Sequence, residues 1–139
     1  MSDSVILIDK PAGMSSFGVV ARIKRVLSEQ EAGKPSVVLN KRRRVKVGHT
    51  GTLDPFATGL MIIVTGKECK NAGNYSKLDK VYEATIRLGQ TSTTGDPEGE
   101  ITAISDKSPE KSDIEAALSK FVGEITQTPP IYSAIKIGG

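Results

Sequence analysis

The chain has 139 residues, of which 37% are apolar, 4% aromatic and 25% charged; that length supports one domain at most, and no run approaches the roughly 20 apolar residues of a membrane span. A single cysteine, Cys69, and a single histidine, His49, exclude an internal disulfide and a Cys/His zinc site and suit a reducing cytoplasm, and the N-terminus lacks the basic-then-apolar pattern of a secretory leader. The formal charge of +3 hides an asymmetry: residues 1–80 carry 14 basic and 7 acidic side chains, residues 81–139 only 5 basic and 9 acidic.

Val5-Ile6-Leu7-Ile8 is an apolar run stopped by Asp9-Lys10-Pro11-Ala12-Gly13, which predicts a buried strand and then a turn. Ser15 or Ser16 can cap a helix over residues 17–28, with Val19, Val20, Ile23, Val26 and Leu27 on one face and Arg22 and Arg25 off it. Residues 29–46 are polar and read as a loop around Val37-Val38-Leu39. Within it, Lys41-Arg42-Arg43-Arg44-Val45-Lys46 places five cations in six residues. Each phosphate that such a run neutralises releases counterions, so RNA is a natural partner; a solvated loop that contacts nothing is the bland alternative.

Residues 45–58 are rich in Gly and Thr and show no period. Residues 60–64, bounded by Gly59 and Gly66, predict a second buried strand; residues 68–78 predict a weak helix and residues 81–88 a strand. Residues 91–99 are turn-like, and residues 100–104 predict a further strand. Ser112-Asp113-Ile114-Glu115 reads as a capping box opening a helix, with Ile114, Ala117, Leu118, Phe121 and Val122 at helical spacing and Gly123 to end it. Residues 124–128 are short and β-like, and Pro129-Pro130 breaks the chain. Strands and helices mix without strict βαβ alternation, so the predicted fold class is α+β, a mixed, largely antiparallel sheet flanked by helices. The pattern looks half finished at Gly139, as in a fragment of a longer protein.

The most unusual stretch is Gly48-His49-Thr50-Gly51-Thr52-Leu53-Asp54-Pro55-Phe56-Ala57-Thr58-Gly59. Its glycines permit tight turns or close approach to a ligand, and Pro55 drives Asp54 toward extended geometry. A carboxylate presented rigidly beside small residues is what a nucleophile or general base requires; a structural turn in which Asp54 bonds its own backbone is the other reading. His49 is open to a structural or a catalytic role. No G-x-S-x-G occurs, and Gly66-Lys67 has the wrong context for a phosphate loop. Tyr82, two residues after Lys80, can stack on a base while the cation meets a phosphate, or can be an ordinary strand residue with its ring in the core. Tyr132 invites the same two readings, and Asp96 stands in a turn-like segment.

Asp9 to Ser16, the loop at 48–59, Asp79-Lys80-Val81-Tyr82, Leu88-Gly89 with residues 91–96, and Pro129-Pro130-Ile131-Tyr132-Ser133-Ala134-Ile135-Lys136 together resemble the TruB family of pseudouridine synthases, in that family's order and across essentially the whole chain. The resemblance implies a pseudouridine synthase fold, a tRNA T-arm as partner, isomerisation of a T-loop uridine in the cytoplasm, and no metal or cofactor. It places the essential aspartate at Asp54, the base-stacking tyrosine at Tyr82, a histidine that contacts the T loop and helps displace the base at His49, and an acidic cleft residue at Asp96. Lys80, Arg42, Arg43 and Arg44 are the expected phosphate contacts. The family's Gly-x-Ala-Thr-Lys is here Gly66-Lys67-Glu68-Cys69-Lys70. The resemblance further implies that residues 1–139 are the N-terminal portion of a catalytic domain, whose remaining strands, catalytic arginine and C-terminal RNA-binding module lie elsewhere. Two alternatives accompany this expectation: a non-catalytic RNA-binding fragment or subunit that needs a second chain, and a guide-RNA-dependent relative.

Overall fold

The computed structural model describes residues 3–32 and 45–130. They belong to two units that divide between Val81 and Tyr82. Arg42, Arg43, Arg44, the Val37-Val38-Leu39 segment and Tyr132 lie outside the described residues.

The first unit is built on three antiparallel strands, β1 (Ser4–Lys10), β2 (Val47–His49) and β3 (Gly59–Thr65), with β3 in the centre. Ile6 stands opposite Ile63, Ile8 opposite Met61, and His49 opposite Ile63 from the other edge. Residues directly opposite one another share a sheet face. That face is closed by α1 (Ser16–Ala32), whose Val19 and Val20 join Met61 and Ile63 in the core; Ile6, Ile8, Met14, Ile23, Val47 and Leu53 pack around them. Ser15 is the helix cap, accepting the Gly18 N–H at 3.1 Å. Val26, expected on the apolar face, is exposed.

The first strand differs from the expected buried strand. It alternates, with Val5 and Leu7 exposed and Ile6 and Ile8 turned inward, because α1 covers only one side of the sheet. Leu60 in β3 is exposed on the opposite side in the same way. After β3 the chain makes a 3-10 turn, Gly66–Asn71, and a short helix α2 (Ala72–Ser76), covering most of the span expected to be helical.

The second unit holds a hairpin of β4 (Gln90–Ser92) and β5 (Ile101–Ala103), paired antiparallel, followed by α3 (Lys111–Leu118) and a 3-10 turn, Ser119–Phe121. Residues 81–88 and 124–128 are not strands: neither has a ladder partner among the described residues, and a strand exists only in a ladder. The helix opens two residues before the expected box. Asp113 accepts the Glu110 N–H at 3.2 Å, and the Glu110 carbonyl accepts the Asp113 N–H, so Glu110 and not Ser112 occupies the cap position. Gly123 does not end the helix as expected: α3 stops at Leu118, and the 3-10 turn after it stops before Val122, whose backbone is already extended. All pairings among the described residues are antiparallel, and with the helices they make an α+β fold. No helix among the described residues is long and apolar enough to cross a membrane.

Candidate active site

Lys10 ends β1 in register with its inward residues, so its side chain is directed into the protein, where it is fully buried. Its ammonium donates to the carbonyls of Met14 at 2.7 Å, Pro11 at 3.0 Å and Pro55 at 3.2 Å. Three carbonyls match the three donors of an ammonium, which is how a buried lysine is tolerated without a carboxylate partner. The Gly13 N–H reaches the same Pro55 carbonyl at 2.7 Å. Gly13 has φ +79, which a side chain would resist, so the turn after β1 needs glycine to bring this donor to Pro55.

On the other side of Asp54, Ser16 bonds Leu53 twice. Its Oγ donates to the Leu53 carbonyl at 2.7 Å and accepts the Leu53 N–H at 2.9 Å. The Leu53 side chain packs against the core. Asp54 is therefore flanked by two anchored residues, and its own carbonyl closes a turn by accepting the Ala57 N–H at 3.1 Å. Its carboxylate is exposed and makes no hydrogen bond or ion pair among the described residues. The alternative reading, a turn in which Asp54 bonds its own backbone through the side chain, does not form. Of the glycines at 48, 51 and 59, only Gly59 has positive φ, at the entry to β3.

His49 closes β2 at the head of the same loop. It is half-buried, and its Nδ1 is buried without a hydrogen-bond partner among the described residues. Thr50 behind it is held to β3, its N–H and hydroxyl both reaching the Ile62 carbonyl at 3.1 and 3.3 Å. His49, Thr50, Gly51 and Thr52 face Ala72, Gly73 and Ser76 of α2 across an open hollow of about 310 Å³. The turn preceding α2 carries the departure from the family pattern. Glu68 accepts the Tyr75 hydroxyl at 2.7 Å and the Asn71 amide at 3.1 Å, and the bond to Glu68 raises the Tyr75 pKa above its ordinary value.

Lys80 does not present a free ammonium. It donates to the Ser76 and Leu78 carbonyls, both at 2.8 Å, and so caps the end of α2. Tyr82 lies in the second unit, outside any helix or strand, with its ring exposed rather than in a core. Asp96, also in that unit, is the aspartate engaged by its own turn. Its Oδ1 accepts the Thr94 hydroxyl at 2.6 Å and the Glu98 N–H at 2.9 Å, and its carbonyl accepts the Ser92 hydroxyl at 2.6 Å. The Thr94 hydroxyl, then the Glu98 N–H, hold its carboxyl below the ordinary carboxylate range. No group of three or more His, Cys, Asp or Glu fit to hold a metal occurs among the described residues.

Sequence reasoning assigned no role to Lys10 and offered Ser16 only as a candidate helix cap. The signal for Lys10 was present: a strand whose inward positions are 4, 6 and 8 turns position 10 inward as well. Ser16 carried none, because the loop it bonds lies 37 residues away.

Residues 38–139 match the family model described as TruB family pseudouridylate synthase (N terminal domain). The chain is 43% identical over 137 residues to a tRNA pseudouridine synthase B of Burkholderia mallei, covering 99% of this chain and 40% of that protein. It is 43% identical over 135 residues to the protein of the same name from Cupriavidus pinatubonensis, covering 97% of this chain and 38% of that protein. The chain thus spans about two fifths of the length of the curated relatives it matches. On a match that takes in the loop with Asp54 and runs on through the second unit, the chain belongs to the TruB family of pseudouridylate synthases.

Proposed function

We propose that this chain is the N-terminal portion of the catalytic domain of a cytoplasmic tRNA pseudouridine synthase that isomerises a T-loop uridine, with Asp54 as its catalytic carboxylate. Beyond the family match, one observation carries the reading: Asp54 presents an exposed carboxylate, unbonded among the described residues, on backbone that is anchored at both neighbours. A group that must reach a ribose or a base needs this combination of free side chain and fixed backbone.

The reaction breaks the N1–C1′ bond, turns the uracil and forms C5–C1′. It neither oxidises nor donates a group, so it calls for no cofactor or metal. Asp54 acts by attack on C1′, by removal of a sugar proton, or by addition to the base. The target uracil leaves the stack first, at a cost of a few kcal/mol. Phosphate contacts from Arg42, Arg43 and Arg44 offset that cost, with Lys80 contributing through the one ammonium hydrogen its two carbonyls leave free. His49 takes space vacated by the base, Tyr82 stacks on the flipped uracil, and Asp96 lines the cleft.

The test is tritium release from tRNA labelled at C5 of the target uridine, with the full gene product and with this chain alone. The full product releases tritium, and Asp54→Asn abolishes release while tRNA binding survives. Turnover by Asp54→Asn removes Asp54 from its role. The share of its relatives that this chain covers gives weight to a second reading, in which residues 1–139 bind RNA but need further protein to complete the site. Binding without release by this chain alone supports it.

A further inference from the structure

We propose that Ser16 is a positioning residue for Asp54, acting through a hydroxyl that holds both backbone polar groups of Leu53. This rests on the assignment of Asp54 as the reacting carboxylate. The Ser16 side chain is buried at the first residue of α1, beside the cap position that serine hydroxyls favour. It is free of capping here, because Ser15 supplies the cap to Gly18. Both the donor and the acceptor capacity of its Oγ go to one residue, Leu53, at 2.7 and 2.9 Å.

Bonding the N–H and the carbonyl of one residue fixes the peptide plane on each side of it. The second of those planes ends at the Asp54 α-carbon. It is therefore the last rigid unit before the carboxylate, and the only atoms between Ser16 and the reacting group are those of Asp54 itself and one peptide. The plane beyond Asp54 is held through the Asp54 carbonyl, which accepts the Ala57 N–H, and the plane after that by Lys10 and Gly13 at the Pro55 carbonyl. Losing Ser16 releases one side only. The core does not depend on the hydroxyl, since Val19, Val20, Met61 and Ile63 meet without it. A carboxylate held on one side alone samples orientations away from the ribose, and a displacement of about 1 Å at a reacting group lowers a rate by about a hundredfold.

The experiment compares Ser16→Ala and Ser16→Thr with the wild type in the full gene product. Three quantities are measured: single-turnover tritium release, tRNA Kd, and the exchange rate of the Leu53 amide together with the Asp54 carboxyl resonance by NMR. In Ser16→Ala the rate is expected to fall by about tenfold to a hundredfold with Kd unchanged. The Leu53 amide loses protection and the Asp54 signal broadens; Ser16→Thr, which keeps the hydroxyl, recovers most of the rate. A Ser16→Ala rate within about twofold of wild type, or an equal loss of affinity, overturns the proposal. So does an unprotected Leu53 amide in the wild type, a measurement that stands even where Ser16→Ala fails to fold. A wild type that releases no tritium refutes the function instead; the Asp54 resonance then decides the positioning claim, an unchanged signal in Ser16→Ala defeating it.

Discussion

Lys10→Met keeps the length and apolar stem of the side chain and removes only the ammonium. In the wild type that ammonium is fully buried and serves three carbonyls at 2.7 to 3.2 Å. The variant leaves the Pro11 and Met14 carbonyls without it, while Pro55 keeps the Gly13 N–H. The Met14 carbonyl is on a half-buried residue, and an acceptor left unpaired there costs about 1–3 kcal/mol; Pro11 is exposed, so its carbonyl turns to water at little cost. Against this, the variant no longer has to desolvate a charge, a gain that offsets part of the loss. The net is a destabilisation of about 1–2 kcal/mol. In a unit of this size 1 kcal/mol moves Tm by about 4–8 °C, so the melt should fall by roughly 5–15 °C. Thermal unfolding and urea titration measure it. Turnover at a temperature where both proteins are folded should change far less, because Gly13 still holds the Pro55 carbonyl and Ser16 still holds Leu53, so neither side of Asp54 is released. A Tm that is unchanged or raised refutes the account: it would mean that desolvation outweighs three charge-assisted bonds.

Gly89 combines φ +76 with a backbone contact, since an added Cβ would strike the Ser105 carbonyl. Gly89→Ala should cost more than the ~1–2 kcal/mol of left-handed geometry alone, and should deprotect the Ile104 and Ser105 amides that Gly89 accepts at 2.9 and 3.2 Å, as read by hydrogen exchange. Thr94→Val removes the donor that most lowers the Asp96 pKa. Because that pKa lies below its unfolded value, the associated stability is present above the ordinary carboxylate range and is lost as pH falls through the lowered folded value. The variant should move the Asp96 carboxyl titration up, visible by ¹³C NMR, and an unmoved titration denies Thr94 the role. Replacing Arg42, Arg43 and Arg44 with Ala should weaken tRNA binding and flatten its dependence on salt; an unchanged slope would show that the run does not touch phosphate.

What could be read from the sequence were the features fixed by short-range pattern. Apolar runs marked β1 and β3, a 3.6-residue spacing marked α1, and the Gly-rich string marked the loop with Asp54. The errors share one cause. Residues 81–88 and 124–128 have strand-like composition, yet a strand exists only where a partner lies beside it, and composition does not name partners. The helix start moved to Glu110 because the Asp113 carboxylate reaches that N–H, a choice between overlapping caps that spacing alone leaves open. At Asp54 and Asp96 the same alternative was open, a carboxylate bonding its own turn. Asp96 has Thr94 and the Glu98 N–H within reach and takes it. A proline follows both aspartates, Pro55 and Pro97, so it does not separate them; the turn at Asp54 closes through the main-chain carbonyl, which accepts the Ala57 N–H, and leaves the carboxylate out of it.

That difference bears on how a catalytic loop can be both rigid and free. The cheapest way to fix a turn around an aspartate is to let its carboxylate accept the local N–H groups, as Asp96 does. A carboxylate so engaged is less available to substrate. The loop at 48–59 takes its rigidity from outside: from the β1 lysine beneath Pro55, from a serine of α1 behind Leu53, and from the Leu53 side chain in the core. Each anchor lies about forty residues away in sequence and is itself set by an ordinary element, a strand's alternation or a helix's first turn. The loop's order is thereby tied to that of the α1–β1–β3 core, so substitutions that loosen the core will reach Asp54 through Leu53 before they reach the second unit's hairpin, which has its own hydrogen bonds.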